Sequence, residues 1–180
     1  DISLDGLRQQ GFKAILVAVG AQKGMALNVP GSDLQGVSVG IDMLTEAKLG
    51  TLKPSSGNVW VIGGGGVALD VARTALRNGA KSVHLACIES RADMPSFDWE
   101  IEEAQREGIN VHPSLSPQEF TSKNGRRVNG VTFKRVASTW TDSEGGYHWT
   151  LMDGAGSDYL VDADEVIVAV GQTMDLGKLA

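Results

Sequence analysis

A hydrophobic strand that runs straight into glycines and out again into a helix constrains this chain more than anything else in it. Val59-Trp60-Val61-Ile62 is apolar and β-rich, Gly63-Gly64-Gly65-Gly66 follows at once, and Val67-Ala68-Leu69-Asp70 resumes without a break. Only one register, Gly63-x-Gly65-x-x-Ala68, satisfies the G-x-G-x-x-G/A pattern of dinucleotide-binding βαβ units. In that register Gly63 makes the tight turn, and Gly65 admits a pyrophosphate to the backbone. Ala68 then lets the helix pack close on the strand. Gly64, Gly66 and Val67 complete the loop and the first helical turn, whose free N–H groups and positive dipole end attract the anion.

The context of the glycines carries the inference further. Val67 to Arg77 places its apolar residues at mostly helical spacing and stops at Asn78-Gly79. A second strand, Ser82 to Ile88, ends at Glu89. Glu89 lies 89 − 68 = 21 positions after Ala68, close to the roughly 20 at which an acid grips the adenosine ribose. The competing reading is a glycine turn that binds nothing. Strand, helix, second strand and acid standing together in register favour the binding site.

At 180 residues the chain is one domain, or one domain with a small appendage, and long enough to bury a core. Its net charge of −6 gives no electrostatic reason to expect nucleic acid or an anionic membrane as partner. No apolar run reaches transmembrane length and no signal-peptide pattern opens the chain, so a cytoplasmic location is the default expectation. The single cysteine, Cys87, excludes a disulfide framework, a Cys-x-x-Cys redox pair and a cysteine-built metal site. Its neighbours Leu85, Ala86 and Ile88 make it a small core residue. The chain opens at Asp1 in a helix-like segment (Leu4 to Gln10) and stops at Ala180 soon after an apolar strand. The expectation is a piece of a larger protein.

Along the chain, Lys13 to Gly20 reads as a first strand and Ala21 to Gly36 as a loop. Gly40 to Lys48 is helical, and Pro54-Ser55-Ser56-Gly57 turns into the glycine-loop strand. Arg91 to Ser96 is a loop, Phe97 to Glu107 an amphipathic helix closed by Gly108, and Val111 part of a short strand broken by Pro113 and Pro117. From Glu119 to Leu160 short alternating strands, among them Val128 to Val136 and Tyr147 to Met152, are separated by turns at 123–125, 143–146 and 153–156. Glu165 to Gly171 then returns to the parallel sheet. This strand and the first share an ending in Ala-Val-Gly, at Gly20 and at Val170-Gly171. Either both ends let a nucleotide approach backbone, or two buried strands simply end in glycine. The fold class implied is α/β, a Rossmann-like three-layer domain with a central parallel sheet and an antiparallel β-meander. Its division is 1–56, then a dinucleotide domain at 57–171 with the meander at 115–162, then 172–180.

The run Gly63 to Ala75 is similar to the Gly-Gly-Gly-Asn/Asp-x-Ala-Met-Asp-x-x-Arg-Thr signature of the glutamate synthase small (beta) subunit and its relatives. These are flavoproteins of the pyridine nucleotide-disulfide oxidoreductase superfamily. Asp93-Met94-Pro95 and Glu107-Gly108-Ile109 resemble that group's Met-Pro loop and helix end. Gly11 to Ala21, Pro30-Gly31 and Gly36-Val37 resemble the crossing out of its FAD domain, and Val166 to Gln172 the crossing back. The resemblance implies an inserted NAD(P)H domain with the FAD domain itself absent. The whole protein would pass hydride from nicotinamide to FAD, and electrons on to an iron–sulfur domain or partner subunit. No catalytic acid or base is expected in this piece, because the cofactors carry the chemistry.

Two departures from the signature matter. Gly66 replaces the usual Asn or Asp, which removes a side-chain contact. Ile88-Glu89 stands where many NADPH users carry Arg-Arg, and a carboxylate accepts the ribose hydroxyls of NADH while repelling the 2′-phosphate of NADPH. NADH is therefore favoured over NADPH, with Arg91 the one nearby group able to reach a 2′-phosphate, although a solvated loop arginine is its simpler role. His84, His112 and His148 show no ligand spacing and read as structural. Trp60, Trp99, Trp140 and Trp149 read as packing residues. Asp70 is expected to be structural, and Glu100, Glu102, Glu103 and Glu107 a solvated helix face. A stand-alone NAD-dependent dehydrogenase and a non-catalytic dinucleotide-binding module remain as alternatives.

Overall fold

The computed structural model describes residues 3–154 and 156–177. Residues 1 and 2, Ala155 of the expected turn and residues 178–180 of the last segment lie outside them. A six-residue helix, α1 (Leu4–Gln9), is capped by Ser3, whose Oγ accepts the N–H of Gly6. After it come β1 (Lys23–Gly24), β2 (Val37–Val39) and α2 (Gly40–Leu49). The dinucleotide unit follows as β3 (Asn58–Ile62), α3 (Gly66–Arg77), β4 (Ser82–Ala86), α4 (Asp98–Arg106) and β5 (Asn110–His112). Antiparallel strands β6 (Leu115–Thr121), β7 (Gly130–Thr141), β8 (Tyr147–Leu151) and β9 (Asp158–Asp162) come next, then β10 (Glu165–Val168) and β11 (Gln172–Thr173).

Five parallel strands in the order β2-β10-β3-β4-β5 form the middle of three layers. Strand β3 shows why. Its side chains alternate, so Val59 and Val61 join the core cluster under the helices while Trp60 and Ile62 join a second cluster under the antiparallel strands. A strand covered on both faces must be apolar throughout, which is what the run at 59–62 declares. On the helical side, α3 buries Ala68, Leu69, Val71, Ala72 and Ala75, and α4 adds Ile101 and Ala104. On the other side, Phe120, Val131 and Phe133 of the antiparallel layer pack toward Trp60, whose ring centroid is 5.0 Å from that of Phe133.

The acidic face of α4 is not simply solvated. Arg73 of α3 donates from Nε to Glu107 at 2.8 Å and reaches Glu103 at 3.2 Å, while Arg77 bonds Glu107 at 2.8 Å. The hydrogen bond from Arg73 holds the Glu107 carboxyl below its ordinary range. Two of the four glutamates thus tie α3 to α4. Only Trp60 of the four tryptophans is a core packing residue; Trp99, Trp140 and Trp149 are exposed at the start of α4 and along the β7–β8 hairpin.

The expected first strand is the largest departure. Residues 13–20 lie in no strand, and Leu16 is 90% exposed. An apolar run specifies burial, but a ladder also needs a neighbour for its N–H and C=O groups, and none pairs with this segment among the described residues. Elsewhere a strand was hidden by proline. β6 runs through Pro117, which is tolerated because β6 pairs on one side only, with β7, and its register shifts between Pro117 and Glu119. The antiparallel strands also depart from consecutive pairing: β8 and β9 both pair with β7, a strand of 12 residues. Two ladders fit on one strand because they use successive stretches of it, β9 taking Gly130 to Lys134 and β8 taking Val136 to Thr141, with a register shift between Val136 and Ser138.

His84 and His112 are structural in an unforeseen way. Nδ1 of His84 lies 3.1 Å from Nε2 of His112, and Trp60 stacks on His84 at 4.7 Å. Burial lowers the pKa of both, and His84 lowers that of His112 further. A histidine held neutral in the fold but free to protonate near pH 6.5 when unfolded contributes stability that is complete above that pH and is lost as pH falls through the folded value. The urea midpoint should therefore drop between pH 7.5 and 5. His112→Gln should flatten that slope, and an unchanged slope would remove the pair from the cause.

Candidate dinucleotide-binding site

The glycine loop is built by backbone contacts that leave no room for a side chain at Gly63. The N–H of Gly63 donates to Ala86 at 2.8 Å and that of Ala169 to Ile62 at 2.7 Å, which locks the ends of β3, β4 and β10 together. Gly63 has φ of +144°, and a Cβ on it would overlap the carbonyl oxygen of Ala169. Gly65 is the N-cap of α3 and supplies no side chain, and the first turn carries no acid. The N-terminus of α3 therefore has no side-chain cap and no acid of its own, the arrangement that suits an anion.

Around this loop lies a cleft of about 840 Å³, within the range of small-molecule and cofactor sites. Gly63, Gly64, Gly65, Gly66 and Val67 line it, as do Glu89, Val170 and Gly171. Ala68 is fully buried behind the loop, packed in the helical core. Arg91 is outside the lining and is turned to Asp98 at 2.8 Å. Gly20 is also outside it, at the end of the segment that joins no sheet. Of the paired Ala-Val-Gly endings the structure thus brings one to the cleft. Asp70 is exposed on α3.

Glu89 lies against the loop. A Cβ placed on Gly64 would stand 3.0 Å from Glu89 Oε2 and from Cys87 Cβ, so a side chain there would crowd the carboxylate. Burial, and then the charge of Glu89, push the Cys87 thiol up to about 12. It stays protonated at neutral pH and is no nucleophile.

Several residues that shape the cleft escaped the sequence reading. Met25 to Val29, read as loop, forms a wall because the N–H of Met25 donates to Gly171 at 2.9 Å and β1 pairs with β11. Ser96 is buried and its Oγ donates to the carbonyl of Gly64 at 2.8 Å, which fastens the Met94-Pro95 loop to the glycines. Tyr147 and Trp149 reach the cleft from β8. Their alternation with His148 was the available signal, but a strand pattern does not say which face meets a ligand.

Residues 3–178 match the pyridine nucleotide-disulphide oxidoreductase family. The chain is 36% identical to the NADPH-Fe(3+) oxidoreductase subunit beta of Geobacter sulfurreducens, covering 98% of this chain and 26% of that one. It is 33% identical to the glutamate synthase [NADPH] small chain of Azospirillum brasilense, covering 95% and 37% respectively. It thus spans well under half of the length of these curated relatives. Among solved structures, FprA, a Mycobacterium tuberculosis oxidoreductase, superposes with a TM-score of 0.71 at 20% identity, covering 93% of this chain and 52% of that one. At that identity the likeness is one of fold.

Proposed function

The chain belongs to the pyridine nucleotide-disulphide oxidoreductase family, and on that footing we propose that it is the NAD(P)H-binding portion of a cytoplasmic FAD-dependent oxidoreductase of the glutamate synthase small-subunit type. The observation that carries this reading is the cleft itself, with a side-chain-free glycine loop at a helix N-terminus on one wall and Glu89 beside it. Gly65 and the start of α3 hold the pyrophosphate, and Glu89 accepts the adenosine ribose hydroxyls. Val170, Gly171 and the Met25 wall enclose the nicotinamide end. When bound, NAD(P)H would supply hydride for FAD elsewhere in the whole protein, from which electrons would pass to an iron–sulfur domain or partner subunit. No side chain of this portion needs to move a proton; its residues bind, orient and exclude water. No helix among the described residues is long and apolar enough to cross a membrane.

NADH is the preferred nucleotide in this reading. The relatives above are named for NADPH, which makes Glu89 the discriminating position. Its carboxylate would face the 2′-phosphate of NADPH, and the arginine two residues further along the chain, Arg91, is engaged with Asp98. In a fluorescence titration of the chain, NADH should bind at least about tenfold more tightly than NADPH, and Glu89→Arg should reverse the order. Saturable binding of neither nucleotide would overturn the site. Equal affinities in both proteins would overturn only the preference.

A further inference from the structure

We propose that Tyr147 and Trp149 form an aromatic platform that stacks on the adenine of the bound dinucleotide, a role that rests on the reading of the cleft as an NAD(P)H site. Strand β8 hangs on the rest of the molecule next to Glu89. The N–H of Ser114 donates to the carbonyl of Glu89 at 2.8 Å, the N–H of Val136 donates to that of Ser114 at 2.9 Å, and Val136 is where β7 begins to pair with β8, opposite Leu151. From that anchor β8 runs outward through Trp149 and Tyr147. The pair therefore arises at the Glu89 side of the cleft, and a ribose held by Glu89 carries its base on that side.

Their side chains suit the role. Residues two apart on a strand share a face, and both line the cleft while Tyr147 remains 37% and Trp149 43% exposed. Neither belongs to either hydrophobic core cluster. The residue between them, His148, takes the opposite face, stacks on Trp140 at 5.6 Å and lies 2.6 Å from Asp142. That outer pairing stiffens the hairpin while leaving the inner rings uncovered. The glycine loop answers the pyrophosphate and Glu89 the ribose; a flat apolar base needs a flat apolar partner, and aromatic rings supply it.

The test is made on the 180-residue chain with NADH and ADP-ribose as probes. Removing both rings (Tyr147→Ala with Trp149→Ala) should weaken NADH and ADP-ribose by the same factor, roughly 10- to 100-fold. Trp149→Phe, which keeps a ring, should stay within about threefold of the parent. A matching melting curve shows that the partly exposed positions were changed without unfolding. Parent-like ADP-ribose affinity in the double variant overturns the platform, and so does a loss confined to NADH, because ADP-ribose keeps the adenine and lacks the nicotinamide. Failure of the parent chain to bind NADH at all is a different result, and removes the site together with the platform.

Discussion

Gly65→Val is expected to fold and melt like the parent chain yet lose NADH affinity by about a hundredfold, while Gly63→Val should fail to fold stably. The two glycines lie two residues apart and serve different needs. Gly65 has φ of −89° and ψ of 171°, a conformation open to any residue, and the nearest atom to an added Cβ is Pro95 Cγ at 3.8 Å. Nothing in the protein requires glycine there. In the proposed site the requirement comes from a pyrophosphate that must reach the backbone, and two branched methyls would occupy its place. Gly63 sits at positive φ, with the Ala169 carbonyl where a Cβ would go. Strain of about 1–3 kcal/mol adds to a backbone collision at the junction of β3 and β10. Thermal melts and NADH titrations of both variants separate the roles. Parent-like NADH affinity in Gly65→Val would take the pyrophosphate away from this loop.

Phe133→Ala should lower stability by about 3–5 kcal/mol, the usual cost of removing a buried aromatic ring. Phe133 is fully buried between the parallel sheet and the antiparallel layer. It meets Trp60 at 5.0 Å and Tyr159 at 6.1 Å between ring centroids. The cavity left behind is walled by two sheets that cannot close without bending β3 or β7, so little collapse is available to reduce the cost. Urea unfolding gives the value directly, and in a chain of this length the melting point should fall by roughly 10 °C. A loss below about 1 kcal/mol would mean that the two layers are not jointly held by this contact.

Local signals made much of the helical half legible. The glycine register, the helix stop at Asn78-Gly79 and the acid after β4 each depend on residues close in sequence, and all lie on one βαβ unit. Relations between distant segments were not legible. Residues 13–20 carry as apolar a pattern as β10, yet one joins the sheet and the other does not, because pattern encodes a wish for burial without naming a neighbour. Pro117 broke the reading of β6 since one-sided pairing, which excuses a missing N–H, is a tertiary fact. Glu103 and Glu107 looked like solvent residues until Arg73 and Arg77 were placed opposite them. The Met25 wall and the β8 aromatics complete the cleft from regions with no motif at all, and Ser96 ties the Met-Pro loop to the glycines through a contact no motif announces.

Strand β7 holds two unlike halves on one backbone. Gly130 to Arg135 is clamped between β6 and β9, whereas Ser138 to Thr141 pairs with β8. The shifted register between them works as a joint in the design. Everything beyond it can lengthen, shorten or change its rings while the clamped half keeps the three layers in place. If the aromatic platform holds, ligand preference can therefore drift by editing one protruding ribbon, at a distance from the packing that the fold depends on.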